Sequence, residues 1–174
     1  MLGIGILSYA KGNSKELIDA VLNNNIERVK ELLDEGVSPN TYFNDPYEHP
    51  FKGHISIRTP LLAKAIELKY NDIARIMIEY GANVNLKDSY GGTALFNAAD
   101  NNDLEMVRYL LQHKALVNVT IREAGNSPLT VAQDIEIRKL LIEHGADVNH
   151  RDIYGFAEIS GAVVENKIEY LSYL

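Results

Sequence analysis

Five histidines invite a metal or acid–base reading: His49, His54, His113, His144 and His150. No two of them stand four apart on a helix beside an acidic residue. His49 and His54 share one stretch with Asp45 and Glu48, which could begin a Zn²⁺ site. No third strong ligand is spaced to complete it. His113 and His144 fall at equivalent places late in two helical segments, where a cation meets the negative end of the helix dipole. Gly91-Gly92 reads as a turn pair rather than a phosphate cradle. No P-loop, dinucleotide glycine pattern, nucleophile elbow or His-Glu-x-x-His motif occurs. Asn118-Val119-Thr120 fits a glycosylation sequon, but Asn118 also closes a repeating pattern, which gives it a structural role. The residue types therefore predict neither an enzyme nor a bound cofactor.

Composition narrows the classes further. The chain has 174 residues, 46% of them hydrophobic and 24% charged, with a formal charge of −7. An acidic chain is poorly suited to replace counterions around phosphate, which argues against nucleic acid as partner. There is no cysteine, so disulfides and thiolate metal sites are excluded. No apolar run approaches the roughly 18 residues that span a bilayer. Met1 to Tyr9 lacks the basic start of a signal peptide; it is expected to cap the first repeat. A cytoplasmic location is the expectation, with release into a host cell by a non-classical route as the alternative.

The elements that would position any site repeat along the chain. Gly36-Val37-Ser38-Pro39-Asn40, Gly81-Ala82-Asn83-Val84-Asn85, Lys114-Ala115-Leu116-Val117-Asn118 and Gly145-Ala146-Asp147-Val148-Asn149 are one ending written four times. Their closing asparagines are spaced 45, 33 and 31 apart. Openings recur as Thr59-Pro60-Leu61, Thr93-Ala94-Leu95 and Ser127-Pro128-Leu129. Second-helix cores recur as Val29 to Leu33, Ile76 to Ile78, Val107 to Leu111 and Lys139 to Ile142. The clearest unit is Asp88 to Asn118: a turn, a short apolar-faced segment, the polar break Asp100 to Asp103, and a second apolar-faced segment. Such a unit cannot bury its own apolar face and needs copies on both sides.

The pattern resembles the ankyrin-repeat family, whose period matches the middle spacing. The resemblance covers residues 14 to 174. It implies an all-α solenoid of stacked helix-turn-helix units with loop or β-turn fingers, read as a single domain. Residues 1-13 would form the N-terminal cap, with repeats over about 14-40, 41-85, 86-118, 119-149 and 150-174. The last, which lacks the Thr-Pro-Leu opening, would cap the C-terminal end; alternatively the array continues.

Departures from the period give further expectations. The spacing from Asn40 to Thr59 exceeds the equivalent spacing from Asn85 to Thr93 by 11 residues. Prolines keep this insertion out of helix and out of interior strand, so an extended, partly ordered loop is expected. Ser14 suits the N-cap of the first helix, Thr59 the N-cap of the third, and Pro60 its first turn. The segment Thr59 to Gly81 is one residue longer than Thr93 to Lys114, which suggests an overwound or bulged first helix in repeat 2. Repeat 4 loses residues between Ala132 and Ile137, so its first helix should shrink to about a turn and a half. Lys114 stands where the other endings have Gly; in a left-handed conformation it would cost roughly 1 kcal/mol.

The resemblance further implies a protein-binding module or scaffold that engages another protein through finger tips and inner helices; a monomer is expected if repeat 5 caps the array. Family contact positions carried onto matching residues are Ser89, Tyr90 and Asp100 in repeat 3, and Ile153, Tyr154 and Phe156 in repeat 5. Repeat 4 departs from the pattern in its turn; Arg122, Glu123 and Gln133 stand nearest those positions. The insertion adds Tyr42, Phe43, Tyr47 and Phe51, aromatic residues of the kind that dominate interfaces. They could equally fold down over repeats 1 and 2, just as Tyr90 and Tyr154 could pack finger on finger. Two other functions fit the same surface: a regulatory protein or inhibitor blocking an enzyme or toxin, and a secreted microbial effector.

Overall fold

The structure, a computed structural model, describes residues 14–49, 53–121 and 125–151. These divide into two compact units between Leu86 and Lys87.

In the first unit, α1 (Ser14–Leu22) and α2 (Ile26–Asp34) form one antiparallel pair. A hairpin of β1 (Tyr42–His49) and β2 (Gly53–Pro60) follows, and then α3 (Leu61–Glu67) and α4 (Asn71–Glu79). First helix packs on first helix and second on second, α1 against α3 and α2 against α4. The apolar periodicity explains why. Leu17, Ala20 and Val21 are buried on α1, Val29, Leu32 and Leu33 on α2, and Ile73, Ala74, Met77 and Ile78 on α4. Ile76, expected in the core, is half-buried; the i, i+4 pairs 73/77 and 74/78 carry the inner face instead. Tyr80 Oη donates to the Asp34 carboxylate, tying the ends of α2 and α4 together. That bond holds the Tyr80 phenol above its ordinary pKa.

The second unit contains α5 (Ala94–Asp100), α6 (Leu104–Gln112), α7 (Pro128–Val131) and α8 (Ile135–Glu143). Packing again runs α5 on α7 and α6 on α8. Leu95, Met106, Leu110, Leu129 and Ile137 are fully buried in it.

Several helix starts are closed by side chains at the expected kinds of residue. Asn25 Oδ1 accepts from Arg28 N–H at 3.0 Å, and Asp103 Oδ1 from Met106 N–H at 2.9 Å. Ser127 and Thr130 form a reciprocal capping box ahead of α7, with Pro128 in the first turn. Three expectations are corrected here. Ser14 is already helical rather than the N-cap. The N-cap of α3 is Pro60, not Thr59. Pro60 offers no side-chain acceptor, so the first helical N–H, on Leu61, donates to Thr41 O at 2.8 Å. Nor is α3 overwound, since α3 and α5 both have 7 residues. The extra residue lies ahead of the helix, where Thr59 pairs with Phe43 in the hairpin.

The inserted stretch is likewise a paired element rather than a loop, antiparallel from Tyr42↔Pro60 to His49↔Gly53. Its base packs on α3. The α7 helix has 4 residues, about one turn rather than a turn and a half.

Candidate functional site

The fingers are built by backbone chemistry that leaves their tips free to vary. In repeat 3, Asp88 Oδ1 accepts from both Tyr90 N–H and Gly92 N–H at 2.8 Å. Asp88 N–H donates to Gly92 O at 2.9 Å, closing the turn. A Cβ on Gly92 would lie 2.6 Å from Asp88 Oδ2, so the carboxylate can seat itself only over glycine. Ser89 stands exposed at this tip and Tyr90 is half-buried.

The closing asparagines join one repeat to the next. Asn40 Oδ1 accepts from Asn83 N–H at 2.7 Å, and its amide donates to Gly81 O at 3.4 Å. Asn118 does the same with Asp147 N–H and Gly145 O, both at 2.9 Å. The Asn118 carboxamide is thus engaged at both ends, as its place in the repeat implies.

One position in this frame changes character. Asn83 Oδ1 accepts from Asn85 N–H and Asp147 Oδ1 from Asn149 N–H, both at 2.9 Å, while Ser38 Oγ accepts from Asn40 N–H at 3.2 Å. The third repeat has Leu116 there. A leucine has no acceptor for that bond, and it is 57% exposed, the one large apolar side chain so exposed among the described residues. Sequence reasoning missed Leu116. The signal lay in the aligned endings: Ser, Asn, Asp, and then Leu.

The predicted contact residues are distributed as follows. Tyr42 and Phe43 lie half-buried at the hairpin base. The Arg58 guanidinium stacks 3.9 Å above the Tyr42 ring. Tyr47 is in β1, with no side-chain environment described. Asp100 ends α5 and is exposed, and Gln133 is exposed just past α7. The chain brings these two ends near each other: Asn102 Oδ1, two residues beyond Asp100, accepts from Gln133 N–H at 2.8 Å and Asp134 N–H at 3.0 Å. Phe51, Arg122, Glu123, Ile153, Tyr154 and Phe156 lie outside the described residues, as do the expected N-terminal cap and residues 152–174 of the expected C-terminal one.

A sequence profile for ankyrin repeats, in three copies, matches residues 17–121 and 62–152. The chain belongs to the ankyrin-repeat family. It is similar to an ankyrin repeat protein of Rickettsia bellii, 30% identical over 144 residues, covering 73% of this chain and 60% of the relative. An ankyrin repeat protein of Rickettsia felis is 26% identical over 144 residues, covering 80% of this chain and 44% of that protein. Ankyrin repeat protein L371 of Acanthamoeba polyphaga mimivirus is 26% identical over 179 residues, covering 100% of this chain and 22% of its own length. The chain therefore spans less than two thirds of the length of each of these relatives. Membership makes the fold a helix-turn-helix solenoid, with the two-stranded hairpin as an addition to it.

The ankyrin repeat is generally a non-catalytic protein-interaction fold. Among the described residues, no group of three His, Asp or Glu could hold a metal ion. No helix among them is long and apolar enough to cross a membrane.

Proposed function

We propose that this ankyrin array binds a partner protein through its finger tips and the exposed half of its hairpin. The observation that carries the reading is the contrast at the repeat endings. The bridging asparagines and turn acceptors hold a constant backbone, while the side chain presented changes from Ser38 to Asn83, Leu116 and Asp147. Leu116 exposes apolar surface where the other endings carry a polar side chain. An apolar side chain at an interface centre gains from desolvation. The contact set is Leu116, Ser89, Tyr90 and Asp100. The first unit offers candidate contacts of its own in the hairpin, where Asn44 and Arg58 are exposed and Tyr42 and Phe43 half-buried.

The test compares two variants with the parent chain in quantitative affinity capture from the source cell. One carries Leu116→Asn, Tyr90→Ala and Asp100→Lys. The other carries Glu105→Ala and Arg108→Ala on the exposed side of α6. A partner lost at least about tenfold with the first and retained with the second supports the reading. Partners that survive the first and vanish with the second would place the binding surface on the second helices.

A further inference from the structure

Among the described residues the sheet has two strands, and an outer strand edge is a template for another strand. The hairpin carries two prolines, Pro46 opposite Ser56 and Pro60 opposite Tyr42. Their positions follow one rule. Leu61 N–H donates to Thr41 O at 2.8 Å, one step beyond the Tyr42↔Pro60 pair. Pairs that exchange ladder bonds alternate with pairs that do not. The bonded pairs are therefore Thr41/Leu61, Phe43/Thr59, Asp45/Ile57 and onward. Residues 42, 44, 46 and 48, with 54, 56, 58 and 60 opposite, turn their backbone groups away from the partner strand. Both prolines fall in this outward set, so neither removes a bond from the hairpin. Each instead removes a donor from an outer edge.

The two are not equivalent. Pro60 is buried at the start of α3, where the strand ends in any case. Pro46 is exposed and lies at the middle of β1, with Asn44 exposed beside it. An incoming strand would meet a missing N–H and a proline ring halfway along its length. We propose that Pro46 guards the outer edge of β1 against strand addition by a second copy of this chain. The guard lets the hairpin project from the repeat without becoming a self-association site. It acts whether or not the hairpin also touches a partner.

The test uses the full chain as wild type, as Pro46→Thr and as Pro46→Thr with Asn44→Pro. Threonine restores the donor and favours strand; the second change closes the same edge one outward position away. Sedimentation velocity over a concentration series should show the single variant associating at least about tenfold more tightly than wild type. The double variant should return to wild-type behaviour. An unchanged single variant overturns the guard, and so does a double variant that still associates, since the added side chain would then be the cause. Backbone amide exchange in the wild type tests the geometry without any variant. Asn44 and Ser56 should exchange fast and Phe43 and Ile57 slowly; the opposite pattern also overturns it.

Discussion

Repeats 3 and 4 share one unit and one design, yet differ in their first helix: α5 has 7 residues and α7 has 4. Their second helices, α6 and α8, both have 9 and pack on each other. The array thus tolerates loss of most of a turn on one side while the other keeps its register. Two residues offset the loss. Asn102 accepts from the backbone of Gln133 and Asp134, where the missing turn would have supplied partners. Arg138 takes the fourth helical place of α8, which is Val29, Ala74 and Val107 in the other repeats and buried in each. It is 4% exposed, and its Nε donates to Ala132 O at 2.6 Å. The buried side chain satisfies a carbonyl left over at the end of a truncated helix. A short helix is workable when a neighbour's side chain takes over its backbone bonds.

The comparison breaks most severely in the second helices. Leu110 and its counterpart Leu141 are both fully buried. Leu110→Ala and Leu141→Ala should each destabilise by about 2–5 kcal/mol through cavity formation. Chemical denaturation showing a much smaller loss at Leu141 would mean that the shortened repeat is loosely packed after all. The next effect isolates the repair. Arg138→Val, which restores the residue type of the other repeats, should cost about 1–3 kcal/mol by leaving Ala132 O unsatisfied. A variant as stable as wild type would show that the guanidinium repairs nothing. The smallest effect has the opposite sign. Lys114 holds φ at +64°, while Gly145 occupies the equivalent place in repeat 4 at +87°. Lys114→Gly should stabilise by about 0.5–1 kcal/mol, read as a rise in thermal midpoint. A fall would mean that the lysine side chain contributes more than its backbone strain costs.

Much of this was fixed by the chain on its own. The four endings and their near-constant spacing determine the fold, because a helix pair with one apolar face is stable only against copies of itself. Buried Leu17, Leu32, Met77 and Leu110 follow from helical periodicity, and the left-handed turn at Lys114 from its place among glycines. What sequence could not decide depends on partners distant in the chain. The insertion reads as a loop because proline opposes strand locally; only the register with residues 53–60 shows that Pro46 sits where no ladder bond is needed. Thr59 looks like a cap until its pairing with Phe43 moves the helix start by one residue. Arg138 carries a charge on α8, yet the fold buries it with Nε on the carbonyl of Ala132, just past the end of α7. Leu116 stands out in the aligned endings as the one apolar residue among polar ones, and its exposure places it at the surface. In each case local propensity was outweighed by a bond or a packing contact that exists only once the chain has folded.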